Sequence, residues 1–198
     1  MAKYTERIRK LASYIGRGER VADIGPDHGY LGMLLMRDGT SPRVIMTDIA
    51  EGPLSIAREN FERYLGLSGA VGGSGDVGDT GGLSDIGPSN TGGPSDIDAA
   101  DPADAADATC DFRLGDGLVP LGFGEADAVV IAGMGGETII EMLEADPAKT
   151  RSFPKYILQP RTKVELLREW LAGRFEIAAE DTVEERGRDC AIIVARPL

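Results

Sequence analysis

Arg20-Val21-Ala22-Asp23-Ile24-Gly25-Pro26-Asp27-His28-Gly29 is a short apolar run that ends in an acid and then in two glycines around Pro-Asp-His. A run of this length, bounded by glycine, is the pattern of a buried strand closing in a tight turn. Upstream, Tyr4, Ile8, Leu11 and Ile15 recur at helical spacing and stop at Gly16 and Gly18. Downstream, Tyr30 to Met36 has the pattern of a helix, Arg43 to Asp48 of a second buried strand, and Pro53 suits the first turn of a helix running to Leu65. Further strands are expected at Asp111–Leu114, Ala126–Ala132 and Tyr156–Leu158, with helices over Thr138–Leu143 and Lys163–Leu171. Phe175–Thr182 and Cys190–Ala195, joined by the polar EERGRD, form a closing hairpin. Strands alternating with helices imply an α/β fold: a mostly parallel seven-stranded sheet, covered on both faces and ending in an antiparallel pair.

The chain has 198 residues, the size of one domain, and we expect a single domain over 1–198. Residues 68–109 stand apart. They hold ten Gly, eight Asp, five Ser and three Pro, with no aromatic and no basic residue. Such a segment buries too little apolar surface to offset its ordering entropy, so it is expected to be a disordered insertion. Its eight aspartates also account for most of the net charge of −12, leaving −4 on the rest. Residues 1–20 and 149–174 are locally basic, so charge leaves an anionic partner open. The longest apolar stretch, Ala128 to Gly136, is far short of the ~20 residues that span a bilayer. Two cysteines 80 positions apart and one histidine supply no closed zinc site. A cytoplasmic protein without a metal is the expectation.

In an open parallel sheet, ligands bind beyond the carboxyl ends of the strands. The unusual residues collect there: Asp23 to Gly29 after strand one, Asp48 at the end of strand two, Gly115-Asp116-Gly117 after strand three. Gly133-Met134-Gly135-Gly136 follow strand four, and Gln159-Pro160 strand five. Gly25 and Gly29 admit close approach of a ligand to the backbone. Asp48 is placed to accept from a ribose diol, and Asp116 from an exocyclic amine. Each signal also has a plain structural reading: a turn, a helix cap, a packing methionine. Their concurrence at five strand ends favours a site.

The strings Val21-Ala22-Asp23-Ile24-Gly25-Pro26-Asp27-His28-Gly29-Tyr30-Leu31, Thr47-Asp48-Ile49, Leu114-Gly115-Asp116-Gly117-Leu118, Val130-Ile131-Ala132-Gly133-Met134-Gly135-Gly136 and Ile157-Leu158-Gln159-Pro160 resemble, in order, the motifs of the bacterial tRNA (adenine-22-N1)-methyltransferases, the TrmK family. Members usually read DIGTDH and QPN where this chain has DIGPDH and Gln159-Pro160-Arg161, and the helical C-terminal domain into which most continue is expected to be missing here. The resemblance implies a Rossmann-like class I methyltransferase fold, S-adenosylmethionine as cofactor, and N1 of a D-arm adenine in tRNA as methyl acceptor. Carried over by position, Asp23, Gly25, Asp27 and His28 line the methionine end of the cofactor. Asp48 holds its ribose, Asp116 its adenine, and Ile24, Tyr30, Ile49, Gly117, Ala132 and Gly133 complete the cofactor set. Met134, with Asp27 and His28, borders the reacting atoms. Tyr30, Gly135, Gly136, Gln159, Pro160 and Arg161 face the target base, Arg161 in reach of a phosphate.

Two other readings stand beside this one: a methyltransferase for a small molecule, favoured by the acidic charge, and a non-catalytic module that binds S-adenosylmethionine. A nicotinamide enzyme is disfavoured because GxGxxG is absent and the first strand ends in Asp-Ile-Gly.

Overall fold

The computed structural model describes residues 4–65 and 108–198. Residues 68–107 of the segment read as a disordered insertion therefore lie outside the described residues. Its end does not: Thr109 is the first residue of a strand, paired with Arg43, so the boundary set by composition runs one residue into that strand. Eight aspartates and ten glycines dominated that reading and masked a β-branched strand start.

The elements are α1 (Glu6–Ser13), β1 (Val21–Ile24), α2 (Tyr30–Arg37), β2 (Arg43–Asp48), α3 (Glu51–Leu65), β3 (Thr109–Leu114) and β4 (Ala128–Gly135). They continue with α4 (Gly136–Glu144), α5 (Pro147–Arg151), β5 (Tyr156–Thr162), α6 (Val164–Leu171), β6 (Phe175–Glu185) and β7 (Arg188–Pro197). One seven-stranded sheet runs in the order β3-β2-β1-β4-β5-β7-β6. The first five strands are parallel, and β7 is antiparallel to both neighbours. Alternation along the strands separates two cores. Val21, Val44, Met46, Val130 and Ile157 face α1, α2 and α3, whereas Ala22, Ile24, Val129, Ile131 and Leu158 face α4 and α6. Strands buried on both faces are near-continuously apolar, which is why they stand out in sequence. Among the described residues no helix is long and apolar enough to cross a membrane.

Four elements differ from the sequence expectation. Gly133, Met134 and Gly135 do not form a turn; they prolong β4, which stays paired with β5 through two register irregularities up to Gly135↔Thr162. Gln159, Pro160 and Arg161 likewise lie within β5. Glycine and proline mark turns locally, but a neighbouring strand supplies partners that override this preference. The hairpin strands reach closer to their turn than expected, leaving Arg186 and Gly187 as the two residues between them. The connection from β3 to β4 is made of turns.

That turn-rich connection is fastened by charge. Arg113 grips Glu125 through both terminal nitrogens at 2.7 Å, and Arg43 bridges Asp111 at 2.7 Å and Glu125 at 3.0 Å. Glu125 is largely covered, and the Arg113 hydrogen bonds hold its carboxyl down at about 2, helped by the Gly122 N–H and the charge of Arg43. A carboxylate held below its usual value stabilises the fold above pH ~4.5 and loses that contribution as pH falls towards 2. Glu125→Gln is therefore expected to lower stability by about 2 kcal/mol at pH 7, with the gap to wild type narrowing steadily below pH 4. Urea unfolding at pH 7 and pH 3 checks this.

Candidate functional site

The carboxyl ends of β1, β2 and β3 are stitched together by their backbones. The Gly25 N–H donates to the Thr47 carbonyl at 2.8 Å, and the Gly115 N–H to the Asp48 carbonyl at 2.9 Å. The buried Thr47 hydroxyl donates to the Gly117 carbonyl at 3.3 Å. This backbone frame holds one edge of the site, so the side chains are free to face outward.

At the end of β1, Gly25 has φ +66 and Gly29 has φ +76, both in the left-handed region. A Cβ on Gly25 would sit 2.3 Å from Met134 Cε, so the methionine of β4 lies directly over the glycine of β1. These two residues, 109 positions apart in sequence, form one surface. Gly29 caps α2 and leaves only 3.1 Å between a notional Cβ and Ala57 of α3. Asp27 also takes a left-handed backbone (φ +55) and is exposed. His28 lies beside it, Nε2 3.6 Å from Asp27 Oδ1, and its ring meets Tyr30 at 5.7 Å between centroids. The Asn60 amide secures the His28 carbonyl at 3.0 Å.

Asp23 faces the α1 side of the sheet and is almost fully buried. Among the described residues no donor is hydrogen-bonded to it. Burial pushes its carboxyl up to about 7; the positive charge of Arg7 pulls it down, and Asp27 pushes it further up. Such a carboxylate is a poor structural element and a good receptor for a cation.

Asp48, at the end of β2, accepts from the Ala50 N–H through Oδ1 at 2.9 Å, with Oδ2 left for a ligand. Ile49 beside it is exposed. Asp116 and Gly117 line a recess of about 210 Å³ shared with Leu118, Thr138, Met142 and Lys149, its walls partly apolar and partly charged. Gly133, at φ +80, faces open space.

Two expected substrate-facing residues take other roles. Gly136 is buried at the start of α4, where a Cβ would stand 2.5 Å from the Lys163 carbonyl oxygen; it lets two backbones meet and has no face for a ligand. Gln159 is buried, its Oε1 accepting from the Gly133 N–H at 3.1 Å and its Nε2 donating to the Pro160 carbonyl at 3.0 Å. Pro160 is buried as well, while Gly135 pairs with Thr162 and Arg161 stands exposed past them. Arg7 is the residue that sequence reasoning passed over. It lies on the inward stripe of α1, four positions before Leu11, and a charge on an otherwise apolar stripe was the available signal.

A parallel sheet of this strand order, completed by an antiparallel strand, with an acid-glycine turn at the switch between β1 and β4, is the Rossmann-like methyltransferase architecture. The chain belongs to the methyltransferase-domain family, whose model matches residues 4–71 and 99–193. The break in that match falls within the Gly/Asp/Ser-rich segment. The chain is 30% identical over 194 residues to the tRNA (adenine(22)-N(1))-methyltransferase of Bacillus subtilis (strain 168), covering 98% of this chain and 65% of that one. The chain thus spans just under two thirds of the length of this curated relative. The crystal structure of the B. subtilis M1A22 tRNA methyltransferase TrmK superposes with a TM-score of 0.72 at 29% identity, over all of this chain and 68% of that one. M. capricolum TrmK in complex with its natural cofactor product S-adenosyl-homocysteine gives a TM-score of 0.69 at 25% identity, over 98% of this chain and 69% of that one. The motif resemblance to this family is therefore matched both in sequence and in fold.

Proposed function

We propose that this chain transfers a methyl group from S-adenosylmethionine to N1 of an adenine in the D-arm region of tRNA, in the cytoplasm. The observation that carries this is the surface formed by Gly25 under Met134, beside a buried Asp23 that no described donor satisfies. A cofactor with a cationic methionine end suits that place. The donor set fits the rest of it: Asp48 Oδ2 for a ribose diol, Asp116 for an exocyclic amine beside Leu118 and Met142. When bound, S-adenosylmethionine supplies an electrophilic methyl on a sulfonium.

The remaining work belongs to the chain. Neutral adenine carries an in-plane lone pair at N1, so no general base is needed and alignment dominates, a contribution of ~7–11 kcal/mol when geometry is well held. Asp27, exposed and beside His28, stabilises the positive charge that methylation leaves on the ring. His28 and Tyr30 offer tilted ring faces for a base that has left its pair, which costs a few kcal/mol. Gly133 and Met134 border the entrance.

The test is incubation with labelled S-adenosylmethionine and bulk bacterial tRNA, mapped by primer extension. A stop at a D-arm adenine is expected, absent in Asp23→Ala and weakening steeply as salt is raised from 50 to 200 mM. Cofactor binding without labelled tRNA would overturn the tRNA assignment and favour a small acceptor.

A further inference from the structure

A gap opens between β5 and β7 at the site end of the sheet. The two strands pair from Tyr156↔Ala195 to Leu158↔Ile193 and then part. Beyond that point β5 stays with β4 as far as Thr162, and β7 stays with β6 as far as Arg188. Arg7 of α1 bridges β5 and β6 at this end. Its Nε donates to Glu185 Oε2 at 2.8 Å, and its Nη1 donates to Gln159 Oε1 at 3.3 Å. The same Gln159 oxygen holds the Gly133 N–H, and the Gln159 amide nitrogen is turned to Pro160, so the amide has one orientation. Arg7 is also the cation nearest in effect to Asp23.

We infer that Arg7 is a positioning residue that sets both halves of the site: through Gln159 it holds the Gly133 backbone at the entrance, and through its charge it balances the buried carboxylate of Asp23. No motif contains it, because it acts from α1, before the first strand. The inference rests on the cofactor reading above and extends it to a residue outside the strand ends. Among the described residues, Asp27 also acts on Asp23 and opposes its ionisation, and the Cys110 thiol, which feels the charges of Asp23 and of Arg58, is kept protonated by burial. Neither can replace the charge of Arg7. Glu185 shares that charge, being tied to the same guanidinium. Loss of Arg7 raises the pH at which Asp23 ionises, so the cationic end of a cofactor meets a neutral acid at pH 7.

The experiment is calorimetric titration of S-adenosylhomocysteine into wild type, Arg7→Met and Arg7→Lys between pH 6 and 9, with Tm measured at each pH. Arg7→Met is expected to bind about fivefold more weakly at pH 7, the change that one displaced pH unit makes in the ionised fraction of a group half-ionised there. At pH 9, where Asp23 is ionised in every variant, the difference should shrink below about twofold. Arg7→Lys keeps the charge and should restore the wild-type pH profile. A loss in Arg7→Met of equal size at every pH would overturn the charge role and leave only the tie through Gln159, and unchanged binding at every pH, with or without a lowered Tm, would overturn the inference whole. If wild type itself fails to bind S-adenosylhomocysteine at any pH, the cofactor reading falls, and this inference with it.

Discussion

Asp23→Asn is expected to weaken S-adenosylhomocysteine binding at least 100-fold and, at pH 8, to raise the melting temperature. The two effects have one cause. Folding moves this carboxyl from near 3.8 to about 7 because burial disfavours its charge, and no described donor repays that. An acid raised by folding destabilises the native state once it ionises. The penalty is absent below about pH 4, grows between pH 4 and 7, and is constant above. An amide of the same shape carries no charge and so escapes it. The gain at pH 8 should approach about 4 kcal/mol, or roughly 10 °C for a chain of this size, and should vanish at pH 4. A variant that melts lower than wild type at pH 8, or that still binds the ligand, would show that Asp23 is a structural residue. The binding loss is the larger effect, because the carboxylate is what the site holds for a cation.

Gly136→Ala is the second large expectation, and its effect is on stability. Gly136 starts α4 with ordinary helical backbone, so conformational freedom is not its reason for being glycine. Space is. A Cβ there would stand 2.5 Å from the Lys163 carbonyl oxygen and 3.0 Å from that of Thr162, both backbone atoms that cannot swing aside. The junction of β4 with α4 would have to separate from that of β5 with α6. Overpacking of this kind costs about 1–3 kcal/mol, so Tm should fall by roughly 5 °C in a thermal melt. Gly133→Ala, three residues earlier, is the control. Its Cβ would meet nothing within 4 Å, and only its positive φ resists, at about 1 kcal/mol. If the two variants melt alike, the close approach at Gly136 is not what holds these elements together.

Much of this was legible along the chain. Buried parallel strands are apolar on both faces, so Val21–Ile24, Arg43–Asp48 and Ala128–Ile131 declare themselves without any knowledge of their neighbours. The acid-glycine string after the first of them is local as well, since a left-handed turn at Gly25 and Gly29 is a property of those residues. Asp23, Asp48 and Asp116 were placed by the same logic, each at a strand end.

Other features depended on partners far away in sequence. Gly133 to Gly135 have the pattern of a turn until β5 supplies strand hydrogen bonds, and Gln159 looks available to a substrate until Gly133 and Arg7 occupy its oxygen. The contact of Met134 with Gly25 joins two separate motifs. Sequence alone determined most element types and the acids near the strand ends, because these follow from periodicity and from what each residue's own backbone allows, and its motifs carried the resemblance to methyltransferases. Tertiary structure alone decided which polar groups remain unsatisfied. That question turns on which donors and charges reach a buried atom across the fold, and here one arginine of the first helix gives a hydrogen bond to Gln159 and only its charge to Asp23.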